Sequence, residues 1–332
     1  MLTETPAGLY CEAGGFHIDP WGPTPRALIT HAHGDHARPG SAAYLCAAPS
    51  APLLTRRLDP APIQTLAYGE RLTIGGVTVS FHPAGHVLGS AQIRIEGPTG
   101  AWVVSGDYKR AADPTCAPFE PQRCDVFVTE TTFGLPIYHW DPTEDVIRDL
   151  LSWWRQNADG GLASIVFCYT IGKAQRLLAE LADVTDRPVL VHGMLVAAIE
   201  LYRQAGIRML PTQPLLQRPR GASLAGELVL APLSARGTPW MRRLGALSDA
   251  LASGLMRVRG VRRQRAYDRG FVLSDHADWP GLLDTIAATG ASRVLATHGH
   301  AETMAHYLRD RGLDAGVLRT AWEGEAGADD AE

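Results

Sequence analysis

The sequence predicts an α/β protein in which a β-rich part is followed by a part that alternates helix and strand. Residues 1–134 alternate short β-type runs with Gly and Pro turns, whereas apolar strands and amphipathic helices alternate from about residue 140. With 332 residues, the chain has the length of two domains, or of one domain with a large insert. The composition, 45% hydrophobic and 20% charged, excludes a disordered or fibrous chain.

The β-rich part contains two predicted hairpins. One pairs residues 71–74 with 77–82 around Gly75-Gly76, and the other pairs residues 91–96 with 101–105 around a Gly-Pro-Thr-Gly turn. Residues 125–129 form a further short apolar strand. We therefore expect the functional side chains of this part at strand ends and in loops.

The alternating part begins with a predicted amphipathic helix, which runs from an N-cap at Thr143 to Asn157. The two acids in its first turn interact favourably with the helix dipole and so support this start. Strands at 163–169, 188–191 and 227–230 then alternate with helices at 173–181 and 195–204, which is typical of a parallel sheet. Strands at 271–273 and 293–296 follow, each before a helix. Residues 323–332 are acidic and rich in Gly and Ala, and we predict a disordered tail there.

Charge is distributed unevenly along the chain. The net charge is −4, yet residues 201–270 contain thirteen Arg, no Lys and three acids, a local net charge of +10. Such a cluster predicts a localised surface that binds a polyanion. The chain has 29 Arg and 2 Lys, a ratio that a GC-rich genome would also explain, although it would not explain the clustering. The alternative to a binding surface is a solvated loop of arginines.

The compartment is predicted from absent signals and from the cysteines. Residues 1–6 have neither a basic region nor an apolar core, and no apolar run approaches the ~18 residues of a membrane span. The five cysteines are scattered and form no CxxC pair, as is typical of reduced thiols. We expect a cytoplasmic protein without a membrane partner.

A dense group of metal-binding side chains follows the apolar run 27–29. It contains three imidazoles and one carboxylate within six residues: His31, His33, Asp35 and His36. These are ligands expected for Zn²⁺, with manganese or iron as rivals. Because such a packed set has no role in an apolar core, it predicts a metal site.

Three further candidate ligands follow predicted strands: His86, Asp107 and His298. Each alone is more often an ordinary loop or capping residue. Together with the first group they make seven ligands, enough for two metal ions that share one bridging carboxylate.

This pattern resembles the metallo-β-lactamase superfamily, whose HxHxDH signature is matched by residues 31–36 and whose later positions are matched by His86, Asp107 and His298. Asp19 matches an early aspartate that supports the ligand loop from behind. The resemblance implies an αββα sandwich and a division of the ligands between two metals. The first metal would be held by His31, His33 and His86, the second by Asp35, His36 and His298, and Asp107 would bridge them.

The rest of the chain resembles the β-CASP nuclease branch of that superfamily, in which an α/β domain is inserted. Glu130 matches the acidic motif of this branch, His276 matches its added histidine, and Gly172-Lys173-Ala174-Gln175 resembles a helix start in the inserted domain. The implied domains are the first part of the metallo-β-lactamase domain at 1–134, the β-CASP insert at 135–270 and the closing part at 271–322. The tail 323–332 follows.

Within β-CASP, the short insert and the runs at 239–243 and 271–279 look most like bacterial ligase-associated DNA exonucleases. Those proteins are typically encoded beside an ATP-dependent DNA ligase and a helicase, and many relatives carry an mRNA 3′-end-processing label instead. The resemblance implies a nuclease dependent on two divalent metals, Zn²⁺ or alternatively Mn²⁺, that acts as a DNA exonuclease in repair. The alternatives are an RNA-processing nuclease, a small-molecule metallohydrolase and a non-enzymatic partner of other nucleases.

The resemblance also implies catalytic roles. Asp107 would hold the bridging geometry, Asp35 would orient the attacking water, and His276 would contact the scissile phosphate or protonate the leaving oxygen, with Glu130 behind it. Without the resemblance, His276 would be read as a core histidine bonded to Asp275 or Asp278, and Glu130 as a strand-end cap.

Two further assignments concern the last histidine motif of the chain, His298-Gly299-His300, which we call the closing motif, and the substrate. The motif often continues His-Gly-Glu, but His300 occupies the Glu position here, and we expect His298 to be the ligand. The predicted substrate-binding residues are cationic side chains of the insert: Lys173, Arg257, Arg259, Arg262, Arg263 and Arg265.

Overall fold

The computed structural model describes residues 1–319, which form two compact units. Unit 1 comprises Met1–Tyr138 and the chain from His276 on, and unit 2 comprises His139–Asp275. The described residues contain nineteen strands, β1–β19, and seven α-helices, α1–α7, numbered along the chain. The predicted α/β class is confirmed. The domain assignments 1–134, 135–270 and 271–322 stay predictions, and the predicted tail 323–332 lies outside the described residues.

The first sheet of unit 1 has the strand order of the chain. Its strands are β1 (Leu2–Thr5), β2 (Gly8–Cys11), β3 (Phe16–Ile18), β4 (Ala27–Ile29), β5 (Tyr44–Ala47) and β6 (Ile63–Leu66), and α1 (Ala51–Leu58) lies between the last two. Strands β3 to β6 are parallel neighbours. Asp19 and Thr30 therefore follow adjacent strands at the same edge of the sheet.

The second sheet of unit 1 has the order β19-β18-β11-β10-β9-β8-β7. Its strands are β7 (Arg71–Ile74), β8 (Val77–Pro83), β9 (Ala91–Gly97), β10 (Gly100–Val104), β11 (Val126–Glu130), β18 (Arg293–Thr297) and β19 (Asp314–Val317). The β7/β8 and β9/β10 pairs are antiparallel, so both predicted hairpins are confirmed. Helices α6 (Trp279–Thr289) and α7 (Ala301–Arg309) belong to the same unit.

Burial on both faces of the second sheet explains its apolar strands. Val128 belongs to a buried cluster with Leu28 and Phe81, which joins both sheets of the unit. Its neighbour Phe127 belongs to another cluster with Leu282 of α6 and other residues of α6 and α7. Successive side chains of a strand point to opposite faces, so each strand end is held from two sides.

Unit 2 is a six-stranded parallel sheet with helices between its strands. The strands are β12 (Ala163–Phe167), β13 (Val189–Val191), β14 (Thr212–Pro214), β15 (Leu228–Ala231), β16 (Leu247–Ala252) and β17 (Arg269–Phe271), in the order β14-β13-β15-β12-β16-β17. The helices are α2 (Thr143–Asp159), α3 (Lys173–Leu181), α4 (Gly193–Gln204) and α5 (Arg259–Arg265). The parallel arrangement predicted from the helix–strand alternation is confirmed.

Unit 2 differs from the sequence predictions at the start of α2 and in three elements that the sequence does not predict: β14, β16 and α5. Thr143 is the first residue of α2 and not its N-cap, which is Pro142, and the Thr143 hydroxyl accepts a hydrogen bond from Arg176 Nη2 at 2.8 Å. Strand β16 is absent from the predicted elements, since Ser248 and Asp249 interrupt its apolar run. Both are buried, and Asp249 is paired with Arg236 at 3.0 Å.

Across residues 1–319, no helix has both the length and the apolar character that crossing a membrane requires.

Candidate metal centre

The direction of the strands brings the predicted ligands of unit 1 together. Strands β8, β10, β11 and β18 run the same way, because β8 and β10 are both antiparallel to β9, and β11 and β18 are parallel to β10. Their carboxyl ends therefore share one edge of the sheet. His86, Asp107, Glu130 and His298 lie at or just after these ends.

Asp107 is the centre of the cluster. Its Oδ2 lies 3.6 Å from His31 Nε2, 3.5 Å from His36 Nε2 and 3.9 Å from His86 Nε2. Its Oδ1 lies 3.3 Å from His298 Nδ1. One carboxylate thus faces four imidazoles through its two oxygens.

Three groups of potential ligand atoms share this carboxylate; two of them consist of predicted ligands, and the third joins Asp107 to Glu130 and His276. The first consists of His31, His33, His86 and Asp107, and the second of His36, Asp107 and His298, with the atoms of each group within 4.8 Å of one another. Asp35 is in neither group, although its Oδ2 lies 3.7 Å from His36 Nε2. Six of the seven predicted ligands therefore form the two groups, and the seventh lies beside the second.

The chemistry of these residues fits metal ions. Within residues 1–319, the buried atoms His31 Nε2, His36 Nε2 and Asp107 Oδ1 have no hydrogen-bond partner. Buried polar atoms without partners are costly, so three of them converging in one place call for a cation. Imidazole nitrogen and carboxylate oxygen are the donors that bind Zn²⁺ and similar divalent ions.

Burial and neighbouring charges act differently on two of the imidazoles. Burial, followed by the neighbouring His36, lowers the pKa of His31 well below its ordinary value. Burial also disfavours the charged form of His36, but the Asp107 and Asp35 carboxylates hold the pKa of His36 well above its ordinary value. His31 therefore presents the neutral imidazole that metals bind, whereas metal binding at His36 would release a proton.

A supporting carboxylate orients the ligand loop. Asp19 Oδ2 lies 2.8 Å from His36 Nδ1 and accepts a hydrogen bond from the Thr30 hydroxyl at 2.6 Å, and Asp19 Oδ1 accepts one from the Thr30 N–H at 2.8 Å. With Nδ1 directed at Asp19, Nε2 of His36 faces Asp107. This arrangement fixes the ring orientation in the way that outer partners of metal ligands do.

Glu130 and His276 form a buried pair beside the cluster. His276 Nδ1 lies 3.0 Å and 2.9 Å from the two Glu130 carboxylate oxygens. Glu130 Oε1 also accepts a hydrogen bond from the Tyr108 N–H at 2.7 Å. The His276 ring centroid is 4.7 Å from that of His86, so this pair lies next to the first group of ligands.

The closing motif places its two histidines differently. His298 belongs to the second ligand group, whereas the half-buried His300 lies beside Tyr138 with their ring centroids 6.1 Å apart. Among the described residues, His300 is in none of the potential metal groups. The geometry favours His298 over His300 as the ligand.

Lys173 is the buried member of the predicted substrate-binding residues. It is 1% exposed, and its ammonium lies 3.5 Å from Asp275 Oδ2 and 5.0 Å from the centre of the Tyr169 ring. The Asp275 carboxylate therefore holds the Lys173 charge inside unit 2, and substrate binding by Lys173 stays a prediction.

The predicted arginines lie at and near α5. Arg257 pairs with Asp141 at 3.0 Å, and Arg265 is half-buried. Arg259, Arg262 and Arg263 are exposed and have no ion-pair partner among residues 1–319.

Sequence reasoning missed the polar residues that hold the site from behind. Thr30 binds Asp19, the Ser90 hydroxyl accepts hydrogen bonds from the N–H groups of His86 at 3.0 Å and Val87 at 3.2 Å, and Ser105 Oγ accepts one from the Glu130 N–H at 3.2 Å. Each lies within four positions of a predicted site residue in the chain. Only their position in the chain, next to predicted site residues, could have indicated them, because these hydrogen bonds depend on the conformation of the loops.

No family model matches the chain. A probable DNA ligase from Opitutus terrae is 35% identical over 321 residues, which are 94% of this chain and 30% of that protein. An RNase J-like protein from Methanocaldococcus jannaschii is 27% identical over 41% of this chain and 34% of its own length. The endoribonuclease YSH1 of Kluyveromyces lactis is 29% identical over 35% of this chain and 15% of its own length. The chain thus spans about a third of these relatives or less.

The fold has a counterpart among solved structures. A crystal structure of a protein of unknown function from Enterococcus faecalis superposes with a TM-score of 0.57 at 13% identity, over 90% of this chain and 80% of that one. At this identity the likeness concerns the fold alone.

The relatives define a class. They are β-CASP nucleases of the metallo-β-lactamase superfamily, together with a ligase-related protein that matches most of the chain. The family resemblance stated from residues 31–36, 86, 107, 130, 276 and 298 is confirmed.

Proposed function

We propose that the chain is a dimetal-dependent nuclease that hydrolyses phosphodiester bonds, built as an αββα sandwich with an inserted β-CASP domain. The observation that carries this proposal is the pair of ligand groups that share Asp107. A carboxylate with imidazoles at both oxygens is suited to bridge two cations, the arrangement that hydrolyses phosphodiesters in two-metal enzymes.

In this proposal His31, His33 and His86 would hold one ion, Asp35, His36 and His298 would hold the other, and Asp107 would serve both. The ions, Zn²⁺ or alternatively Mn²⁺, would supply charge stabilisation at the phosphoryl oxygens and activation of the attacking water. Asp19 keeps His36 aimed at the site. Asp35 is the carboxylate beside the second group, and we propose that it orients the water.

His276 is the proposed contact to the reacting phosphate. Glu130 engages Nδ1 of this ring through both carboxylate oxygens, which directs the opposite nitrogen, Nε2, away from Glu130. From Nε2 the ring would contact the scissile phosphate or give a proton to the leaving oxygen. Glu130 is then a positioning residue that acts through His276.

DNA is the substrate that we propose first. The support is the match of 94% of the chain to a protein named a probable DNA ligase, which fits an exonuclease that works in DNA repair with an ATP-dependent ligase and a helicase. RNA is the alternative, because other relatives are named ribonucleases. A small-molecule metallohydrolase is a weaker alternative, because it gives His276 and the arginines of unit 2 no role. The five cysteines are scattered along the chain and form no CxxC pair, which favours the cytoplasm as the compartment.

We further propose that the arginines of residues 257–265 bind substrate phosphates. Three of them are exposed and uncompensated among the described residues, as a phosphate-binding strip requires. In a charge-reversed R259E/R263E variant, the slope of log affinity for single-stranded DNA against log salt should fall by about 1.4, since each lost contact contributes about 0.7. A slope equal to that of the native protein would refute the strip.

The function is tested by a time course on matched DNA and RNA strands, labelled at the 5′ or the 3′ end, with Zn²⁺ or Mn²⁺ added. We expect metal-dependent shortening of DNA from one end, and loss of cleavage in a His31→Ala variant that stays folded. Faster cleavage of RNA would favour the alternative substrate. No cleavage of either strand, or full cleavage by the His31→Ala variant, would contradict the proposal.

A further inference from the structure

A cavity of about 670 Å³ lies in unit 2, at the amino ends of strands β12, β15 and β16. Four arginines contribute to its wall: Arg218, Arg220, Arg242 and Arg243. No acidic residue is among the lining residues in the part of the chain that the structure describes. The cavity is thus strongly cationic, and none of its lining residues is a candidate metal ligand.

The four guanidinium groups are only partly compensated. Arg218 Nη2 pairs with Glu227 Oε1 at 2.5 Å, and Arg243 Nη2 donates to the Arg218 carbonyl at 3.1 Å. Arg220 and Arg242 are exposed and have no ion-pair partner within residues 1–319. Three of the four positive charges therefore face the cavity without a carboxylate, and an anion there would relieve their mutual repulsion.

The Arg218 side chain keeps one donor that Glu227 does not satisfy. Arg218 Nε is buried and has no hydrogen-bond partner among the described residues. The fork of a guanidinium group matches the oxygens of a phosphate or a carboxylate through two parallel hydrogen bonds.

The floor of the cavity is apolar. Leu215, Leu224 and Leu244 line it and are 1%, 5% and 2% exposed. Ligand sites of about 300–1,000 Å³ typically combine an apolar surface with a few polar groups. A cationic rim over an apolar floor suits a molecule with a phosphate and a flat apolar part.

We propose that this cavity binds a nucleotide unit, with its phosphate on the four arginines and its base toward the three leucines. The unit is either a free nucleotide or part of a nucleic-acid strand. The proposal does not rest on the proposed nuclease activity, because a nucleotide would bind here whether or not unit 1 cleaves a phosphodiester.

The test compares two variants that each lose two positive charges. R220S/R242S removes the two uncompensated arginines of the cavity. R155S/R208S removes two exposed arginines of unit 2 that are not in its lining. Both pairs are exposed, so melting temperatures should stay close to that of the native protein, and a circular dichroism melt checks this.

The probe is ADP, titrated by calorimetry into the metal-loaded protein. We expect R220S/R242S to bind ADP at least tenfold more weakly than the native protein, and R155S/R208S to bind within twofold of it. Binding of ADP elsewhere, for example at the metals, is common to both variants and does not affect their difference. Equal affinities of the two variants would overturn the proposal.

A 12-nucleotide DNA strand identifies the source of the nucleotide. In a His276→Ala background, which slows cleavage, the strand should displace ADP from the native cavity if the ligand belongs to a nucleic acid. Retention of ADP at saturating strand would assign the cavity to a free nucleotide. Either result identifies the ligand only if R220S/R242S has also lost affinity for ADP.

Discussion

The Glu130 carboxylate holds the His276 ring through both of its oxygens, at 3.0 Å and 2.9 Å from Nδ1. The two residues are 146 positions apart in the sequence, and both are buried. Glu130 ends strand β11, where the ligands of the cluster gather, and His276 is the residue at which the chain returns to unit 1. The pair also forms a group of potential metal ligands with Asp107, so a role in metal binding and a role in proton transfer must be distinguished by measurement.

His276→Ala should keep the metal content and lose most of the nuclease rate, by about 10²–10⁴-fold, as expected for removal of a general acid. The measurement combines metal analysis of the purified protein with initial rates. His306→Ala is the matched control, because its side chain is 73% exposed and lies in the same unit. An equal loss of bound metal would show that His276 supports the metal centre and does not act on the substrate.

Glu130→Gln should reduce the rate less than His276→Ala, since the amide keeps an oxygen for the His276 ring but loses the charge. Because Glu130 acts through His276, the double variant should be no slower than His276→Ala alone, which is the coupling expected of one unit. If the rate loss of the double variant equals the product of the two single losses, Glu130 acts by another route, for example as a strand-end cap that holds the Tyr108 N–H.

Asp19→Asn should weaken metal binding by about 10–100-fold, the usual cost of removing an outer partner of a metal ligand. The substituted amide would offer one oxygen where the native carboxylate serves both His36 and Thr30. Titration with a competing chelator gives the affinity. Asp310→Asn, beyond the end of α7, is the control, since its carboxylate is 62% exposed. Unchanged affinity in Asp19→Asn would remove Asp19 from the site.

Gly299→Ala tests the backbone that carries His298. Gly299 has φ +49°, and a Cβ there would lie 2.5 Å from the Thr131 carbonyl oxygen. Gly312 has φ +83°, but a Cβ there would meet nothing within 4 Å. Both substitutions carry the cost of a positive φ, and overpacking adds about 1–3 kcal/mol at Gly299 alone. Gly299→Ala should therefore melt at a lower temperature than Gly312→Ala, and equal melting temperatures would contradict the close approach.

The sequence identified the site residues where several potential ligands lie close together in the chain or where they match a known motif. Residues 31–36 place four ligands within one loop, and His86, Asp107 and His298 each follow an apolar run. The supporting contacts were not visible, because Thr30 reaches Asp19 across eleven positions and Tyr108 reaches Glu130 across twenty-two.

Burial accounts for what the sequence does not show. Lys173 stands in a motif that suggested contact with substrate, yet the fold buries its ammonium against Asp275. Strand β16 was missed because Ser248 and Asp249 look like turn residues, whereas the sheet buries both. A sequence shows which side chains are polar, but their partners are fixed only when distant segments pack together.

The central claim is that Asp107 holds two metal ions in one centre. Its most direct test is the number of ions bound per chain, measured by elemental analysis of the native protein and of Asp107→Ala after equilibration with Zn²⁺. We expect two ions in the native protein, and a loss of metal together with nuclease activity in the variant that stays folded. An Asp107→Ala protein that keeps both ions and cleaves at the native rate would contradict the account.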